Sequence, residues 1–163
     1  MRRRYEIVSF CVVWYGKSIM STPLREERTF MLVKPDGVKR GLVGDCIKRL
    51  EQRGLKVIAI KMIRATEEHA RAHYPGSEPW LRGMGEKTLD TYAKYGKDAL
   101  AELGSADALA IGKMIYRWNT DFLTSGPMVA MIVSGIHAID MVRKLVGKTI
   151  PAFAEMGTIR GDY

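Results

Sequence analysis

Thr29-Phe30-Met31-Leu32-Val33-Lys34 is a short apolar run that halts at Pro35-Asp36-Gly37. A run this short, closed by turn residues, reads as a buried strand. Working outward, Leu42, Val43, Cys46, Ile47 and Leu50 fall on one side of a 3.6-residue period, with Lys48, Arg49, Glu51 and Gln52 opposite. Leu42–Arg53 is therefore expected to be an amphipathic helix, closed by Gly54. From Leu55 to Arg64 the pattern changes to a β-rich alternation, with Leu55, Val57, Ala59, Lys61 and Ile63 on one face and Lys56, Ile58, Ile60, Met62 and Arg64 on the other. Thr66 is suited to cap a short helix over Glu67–His73.

Pro75-Gly76-Ser77-Glu78-Pro79 breaks the pattern, and two helical stretches follow at Glu86–Tyr95 and Ala108–Leu123, parted by Gly104-Ser105-Ala106-Asp107. Ser125-Gly126-Pro127 turns the chain into a third strand, Met128–Val133, and Ile136–Val146 carries an apolar helical stripe. Thr149–Tyr163 has no clear period and reads as a loop. The order is βαββα, one strand short of the ferredoxin-like βαββαβ unit. The expected class is α+β: a ferredoxin-like sandwich with the final strand missing and a helical insertion at 75–124, within an incomplete domain spanning 20–163.

The first residues need separate treatment. Arg2-Arg3-Arg4 precedes the apolar Ile7–Tyr15 stretch and imitates a signal peptide. Glu6 interrupts it, no small-x-small cleavage site follows, and the stretch is too short to span a bilayer. Met20-Ser21-Thr22-Pro23 looks like a natural start, so residues 1–19 are expected to be an extension outside the fold, with a signal peptide as the alternative. Cys11 and Cys46 form no CxxC pair and no His cluster accompanies them. That argues against a disulfide framework or structural zinc and for a reducing, cytoplasmic setting. The net charge of +8 favours anionic partners. The charge is spread along the chain without an aromatic platform, which points to phosphorylated small molecules ahead of nucleic acid.

No GxxxxGK[ST] or GxGxxG motif is present. The informative cations stand at the ends of apolar elements. Lys34 closes the first strand and is expected to project over a site. Arg143 lies in the last helix, with Thr149 shortly after it, and Arg160 sits at the centre of Gly157-Thr158-Ile159-Arg160-Gly161-Asp162. Two arginines, a lysine and a hydroxyl form a set suited to a polyphosphate.

In order, Arg28–Val38, Arg40-Gly41-Leu42-Val43-Gly44, His73-Tyr74, Ser125-Gly126-Pro127, Val142-Arg143, Gly147–Ala152 and Gly157–Asp162 resemble the nucleoside diphosphate kinases, over about Glu27–Tyr163 apart from the insertion. The resemblance implies a ferredoxin-like fold and transfer of the γ-phosphoryl of a nucleoside triphosphate such as ATP to a nucleoside diphosphate. It also implies a ping-pong route through a phosphohistidine, with Mg²⁺ bound through the nucleotide, and a homo-oligomer in the complete protein. Lys34, Arg143, Thr149 and Arg160 fall on the family's phosphate-binding positions and Tyr74 on its active-site tyrosine.

The sequence departs from the family in two places. The family's nucleophile lies in an Asn-x-x-His-Gly-Ser-Asp segment that these residues do not contain. The histidines present, His69, His73 and His137, do not match that context. The expectation is therefore a chain that keeps the phosphate site, lacks a catalytic nucleophile and is inactive as it stands. A non-catalytic nucleotide-binding or assembly module of the same fold is the alternative. The second departure is 75–124, where Trp80 and Tyr116 compete for the role of the aromatic that stacks on the base, and where the stretch serves as either a modified nucleotide lid or an oligomer contact.

Overall fold

The structure is a computed structural model that describes residues 5–7, 12–14 and 26–163. The Thr29–Lys34 run lies in strand β3 (Glu26–Val33), after a short antiparallel hairpin of β1 (Tyr5–Ile7) and β2 (Val12–Trp14). That hairpin falls within the expected 1–19 extension. The rest of residues 1–19 lie outside the described residues.

The main sheet has the order β3-β5-β4 and is antiparallel throughout. The central strand β5 (Pro127–Ile136) is paired on both edges, in register from Glu26↔Ile136 to Val33↔Val129 on one side and from Lys56↔Ser134 to Arg64↔Pro127 on the other. This explains its apolar content: Met128, Val129, Met131 and Val133 are all buried. Two helices cover one face of the sheet. α2 (Val43–Gln52) contributes Cys46 and Leu50, and α7 (Ala138–Val146) contributes Ala138, Val142 and Val146, spaced at i, i+4 and i+8. They enclose Met31, Val33, Met131 and Val133, and Ile159 from the C-terminal segment completes the same core.

Strand β4 (Lys56–Arg64) breaks the expected alternation at one point. A bulge between Val57 and Ala59 shifts the register, so Ile60 and Met62 face Met131 and Val129 across the ladder. A bulge leaves one residue unpaired and reverses which set of side chains follows the sheet face. Ile58, Ile60 and Met62 nevertheless stay largely exposed on this edge strand.

A second compact unit spans Ala65–Ser125 and is entirely helical. α3 (Glu67–His73) begins as expected, with Thr66 Oγ1 accepting from the His69 amide. α4 (Glu78–Lys94) starts eight residues before the expected Glu86. Pro79 lies in its first turn, where no amide donor is needed, so it starts the helix rather than breaking it. α5 (Ala99–Leu103) is a single short helix capped by Asp98 and closed by Gly104 in the left-handed region, and α6 (Ala108–Thr124) is capped by Asp107.

Gly85 of α4 sits against the Ala108 carbonyl, and Gly112 of α6 against the Leu81 carbonyl; a Cβ at either would collide with backbone. The two helices therefore run antiparallel at a separation only glycine permits. This close crossing answers why two helix-weakening residues lie within long helices. The unit embraces the 75–124 stretch read from the sequence.

In the sheet unit, α7 begins at Ala138 rather than at Ile136. Ile136 still belongs to β5, and His137, at φ 52°, makes the turn between them. The segment expected to be a plain loop contains a 3-10 turn at Pro151–Phe153 and a one-turn helix α8 (Ile159–Asp162), alongside the five-residue α1 (Pro35–Lys39) that follows Lys34.

Candidate functional site

The Gly157–Asp162 run is folded by its own side chains. Thr158 is extended and caps α8: its Oγ1 accepts from the Gly161 amide at 3.1 Å and donates to the Glu155 carbonyl at 2.5 Å. Asp162 closes the turn by accepting from the Gly157 amide at 2.7 Å. That amide, and then the Arg49 guanidinium, hold the Asp162 carboxyl below the usual carboxylate range. Ile159 is fully buried in the sheet core, and this fixes the next residue as well.

That next residue is Arg160, 4% exposed, whose Nη1 donates to the Gly147 carbonyl at 2.6 Å. Gly147 closes α7 and in turn donates its amide to the Arg143 carbonyl at 3.0 Å. The turn bearing Arg160 and the last turn of α7, with Arg143 in it and Thr149 two residues beyond, thus form one connected cluster. Arg143 and Thr149 are exposed.

Lys34 stands where β3 gives way to α1 and is 3% exposed, enclosed by protein. α7 turns at His137 and packs back over Met31 and Val33, which brings its C-terminal turn toward the sheet end that carries Lys34. Lys34 and Arg160 are thus both charged side chains taken out of bulk solvent, at 3% and 4% exposure.

Tyr74 belongs to the helical unit. It is buried, its ring packs edge-on to His73 at 5.0 Å, and burial pushes its hydroxyl pKa up to about 12. Trp80 and Tyr116 lie 6.1 and 6.4 Å from Tyr74 and 6.3 Å from each other. Both competing aromatics therefore belong to one cluster.

The histidines are placed as packing and turn residues. His69 Nδ1 accepts from the Thr66 amide at 3.4 Å, and His137 sits at the opposite end of α7 from Gly147. Sequence reading missed Arg49, which it assigned to the solvent side of a helix. Arg49 reaches the Arg160 turn, bonding the Gly157 carbonyl at 2.9 Å and Asp162 Oδ2 at 2.5 Å. No local pattern reveals a contact between residues so far apart in the chain.

Comparison with known proteins gives this cluster its context. A family model described as nucleoside diphosphate kinase matches residues 27–79 and 108–163. The chain belongs to the nucleoside diphosphate kinase family. The family match leaves 80–107 outside it, most of α4 and all of α5, a narrower departure than 75–124.

Among similar curated kinases, that of Pyrobaculum aerophilum is 47% identical over 137 residues, covering 84% of this chain and 75% of its own length. That of Archaeoglobus fulgidus is 42% identical, with 84% and 69% covered. A crystal structure of an NDP kinase from Pyrobaculum aerophilum superposes with a TM-score of 0.78 at 45% identity, covering 85% of this chain and 76% of that one. The Borrelia burgdorferi kinase, solved as a transition-state mimic with vanadate and ADP, gives 0.59 at 33% identity, with 85% and 66% covered. The chain therefore shares the ferredoxin-like fold of these relatives.

Proposed function

We propose that this family member transfers the γ-phosphoryl group of a nucleoside triphosphate, ATP among them, to a nucleoside diphosphate, with Lys34, Arg143, Thr149 and Arg160 holding the phosphates. The observation that carries the reading is Arg160: a nearly buried guanidinium fixed by a core residue on one side and a backbone carbonyl on the other. Phosphoryl transfer needs positioned positive charge more than covalent assistance, and a guanidinium held in this way needs no reorganisation as charge develops. Tyr74, which falls on the family's active-site tyrosine, is proposed as a nucleotide-binding residue of the helical unit.

The donor set is cationic, and among the described residues no group of three or more His, Cys, Asp or Glu gathers to chelate a metal. Mg²⁺ is proposed to arrive on the nucleotide's own phosphate oxygens, where it neutralises charge. In the family's ping-pong scheme a histidine carries the phosphoryl between the two nucleotides. His69, His73 and His137 do not match the sequence context of the family's nucleophile, and this polypeptide is proposed to bind nucleotide without forming a phosphohistidine. A cytoplasmic setting and a homo-oligomer belong to the same reading. The exposed Ile58, Ile60 and Met62 on β4 support the second. No described helix is long and apolar enough to cross a membrane.

The test is Arg160→Met, measured for ADP affinity and, in a longer form that carries a histidine nucleophile, for phosphotransfer. Losses of roughly 10²-fold are expected from removing one charged positioning group. Unchanged values would remove Arg160 from the site. Base-stable labelling of this polypeptide by γ-labelled ATP would overturn the claim that it forms no phosphohistidine.

A further inference from the structure

Arg40 and Arg49 come from the first half of the sheet unit, yet both are bonded to the C-terminal segment. Arg49 makes four contacts there: the Gly157 carbonyl at 2.9 Å, Asp162 Oδ2 at 2.5 Å, the Tyr163 hydroxyl at 3.4 Å, and the face of the Tyr163 ring at 5.0 Å. Arg40 adds a bond to the Tyr163 carbonyl at 2.6 Å. Gly157 and Asp162 are also joined directly to each other, and they are the two ends of the turn that carries Arg160. One planar guanidinium thus clamps both ends of that turn to α2, a helix itself fixed by Cys46 and Leu50 in the core.

We infer that Arg49 is a positioning residue for Arg160, setting where its guanidinium meets a bound phosphate without touching the nucleotide. The inference rests on the reading of Arg160 as a phosphate ligand. Three features of the clamp support it. It is bidentate, so it fixes orientation as well as distance. It is partly shielded, with side-chain exposures of 21% for Arg49 and 29% for Asp162, so solvent screens it less than the surface ion pairs elsewhere in the chain. It also acts on a turn already anchored by Ile159, so its loss would shift the turn rather than unfold it.

The experiment uses the full chain and measures ADP and adenosine affinity by displacement of a fluorescent ADP analogue, with thermal unfolding in parallel. Arg49→Met is expected to weaken ADP by about tenfold, as small displacements of a positioned group do, while adenosine changes by less than about twofold. Arg49→Lys should not restore ADP binding, because one ammonium cannot span a carbonyl and a carboxylate in a fixed fork. Asp162→Asn, which keeps the shape of the turn, should show the same selective loss to a smaller degree, so the idea stays testable if Arg49→Met folds poorly. Arg49→Met combined with Arg160→Met should be no weaker than Arg160→Met alone.

If Arg49→Met and Asp162→Asn bind ADP as the parent does while Arg160→Met does not, the inference is wrong and Arg160 stands. Equal losses for ADP and adenosine would make Arg49 a support of the fold alone and also overturn it. Parent-like binding by Arg160→Met would bring down the phosphate reading itself, and the inference with it.

Discussion

Gly147 and Thr158 occupy each other's space: a Cβ on Gly147 would stand 2.5 Å from Thr158 Oγ1 and 2.8 Å from Thr158 Cβ. The Gly147 carbonyl is also the acceptor for Arg160, so the end of α7 and the turn bearing Arg160 are fitted to one another at a residue that has no side chain. The backbone there, at φ 82° and ψ 179°, lies in a region that glycine alone adopts readily.

Gly147→Ala is therefore expected to act twice, through backbone strain and through collision with Thr158. The combined cost is about 2–4 kcal/mol of stability, with weaker ADP binding beside it. Urea denaturation with ADP titration checks both. A change below about 0.5 kcal/mol, the range of an ordinary surface substitution, would show that the junction is loose.

The crossing of α4 and α6 predicts a localised response. Gly85→Ala or Gly112→Ala places a methyl against a carbonyl of the facing helix and should destabilise the helical unit by roughly 1–3 kcal/mol. Amide exchange should quicken over Glu78–Lys94 and Ala108–Thr124 while the β5 amides keep their protection. Uniform acceleration across both units would contradict this.

Acid should loosen the Arg160 turn before it unfolds the sheet. The Asp162 carboxyl titrates below its unfolded value, so its contribution is complete above about pH 4, the ordinary aspartate value, and disappears as pH falls through the lowered folded one. NMR of the Gly157 amide, which donates to Asp162, follows this directly. Its resonance is expected to move in that window and to become flat in Asp162→Asn. A Gly157 amide that ignores acid in the unaltered chain would refute the assignment.

Local signals carried most of the fold. The Thr29–Lys34 run, the Leu42–Arg53 stripe and the Thr66 cap each state their structure within one or two turns; the two helices appear within a residue of their expected limits, and the strand begins three residues earlier, at Glu26. The misread places depend on partners far away in sequence. Proline at 79 looks like a helix breaker until the open first turn is known. The Val57–Ala59 bulge is set by the register with β5, not by the alternation of β4. At the site, Arg160 could be picked out because the turn around it is contiguous. Arg49 could not, since a cation on the polar side of an amphipathic helix looks the same whether it faces water or a carboxylate more than a hundred residues away.

The chain leaves the sheet at Arg64 and returns at Pro127, and these two residues are partners in the β4–β5 ladder. To the sheet, everything from Ala65 to Ser125 is a single hairpin connection. The entropy of closing such a connection grows only with the logarithm of its length, about 0.6 kcal/mol for each doubling. Residues can therefore be gained or lost within 80–107 without disturbing strand register or the Arg160 turn. This makes the segment a natural splice point, where the lineage can lengthen, trim or exchange helices while the sheet unit stays the same.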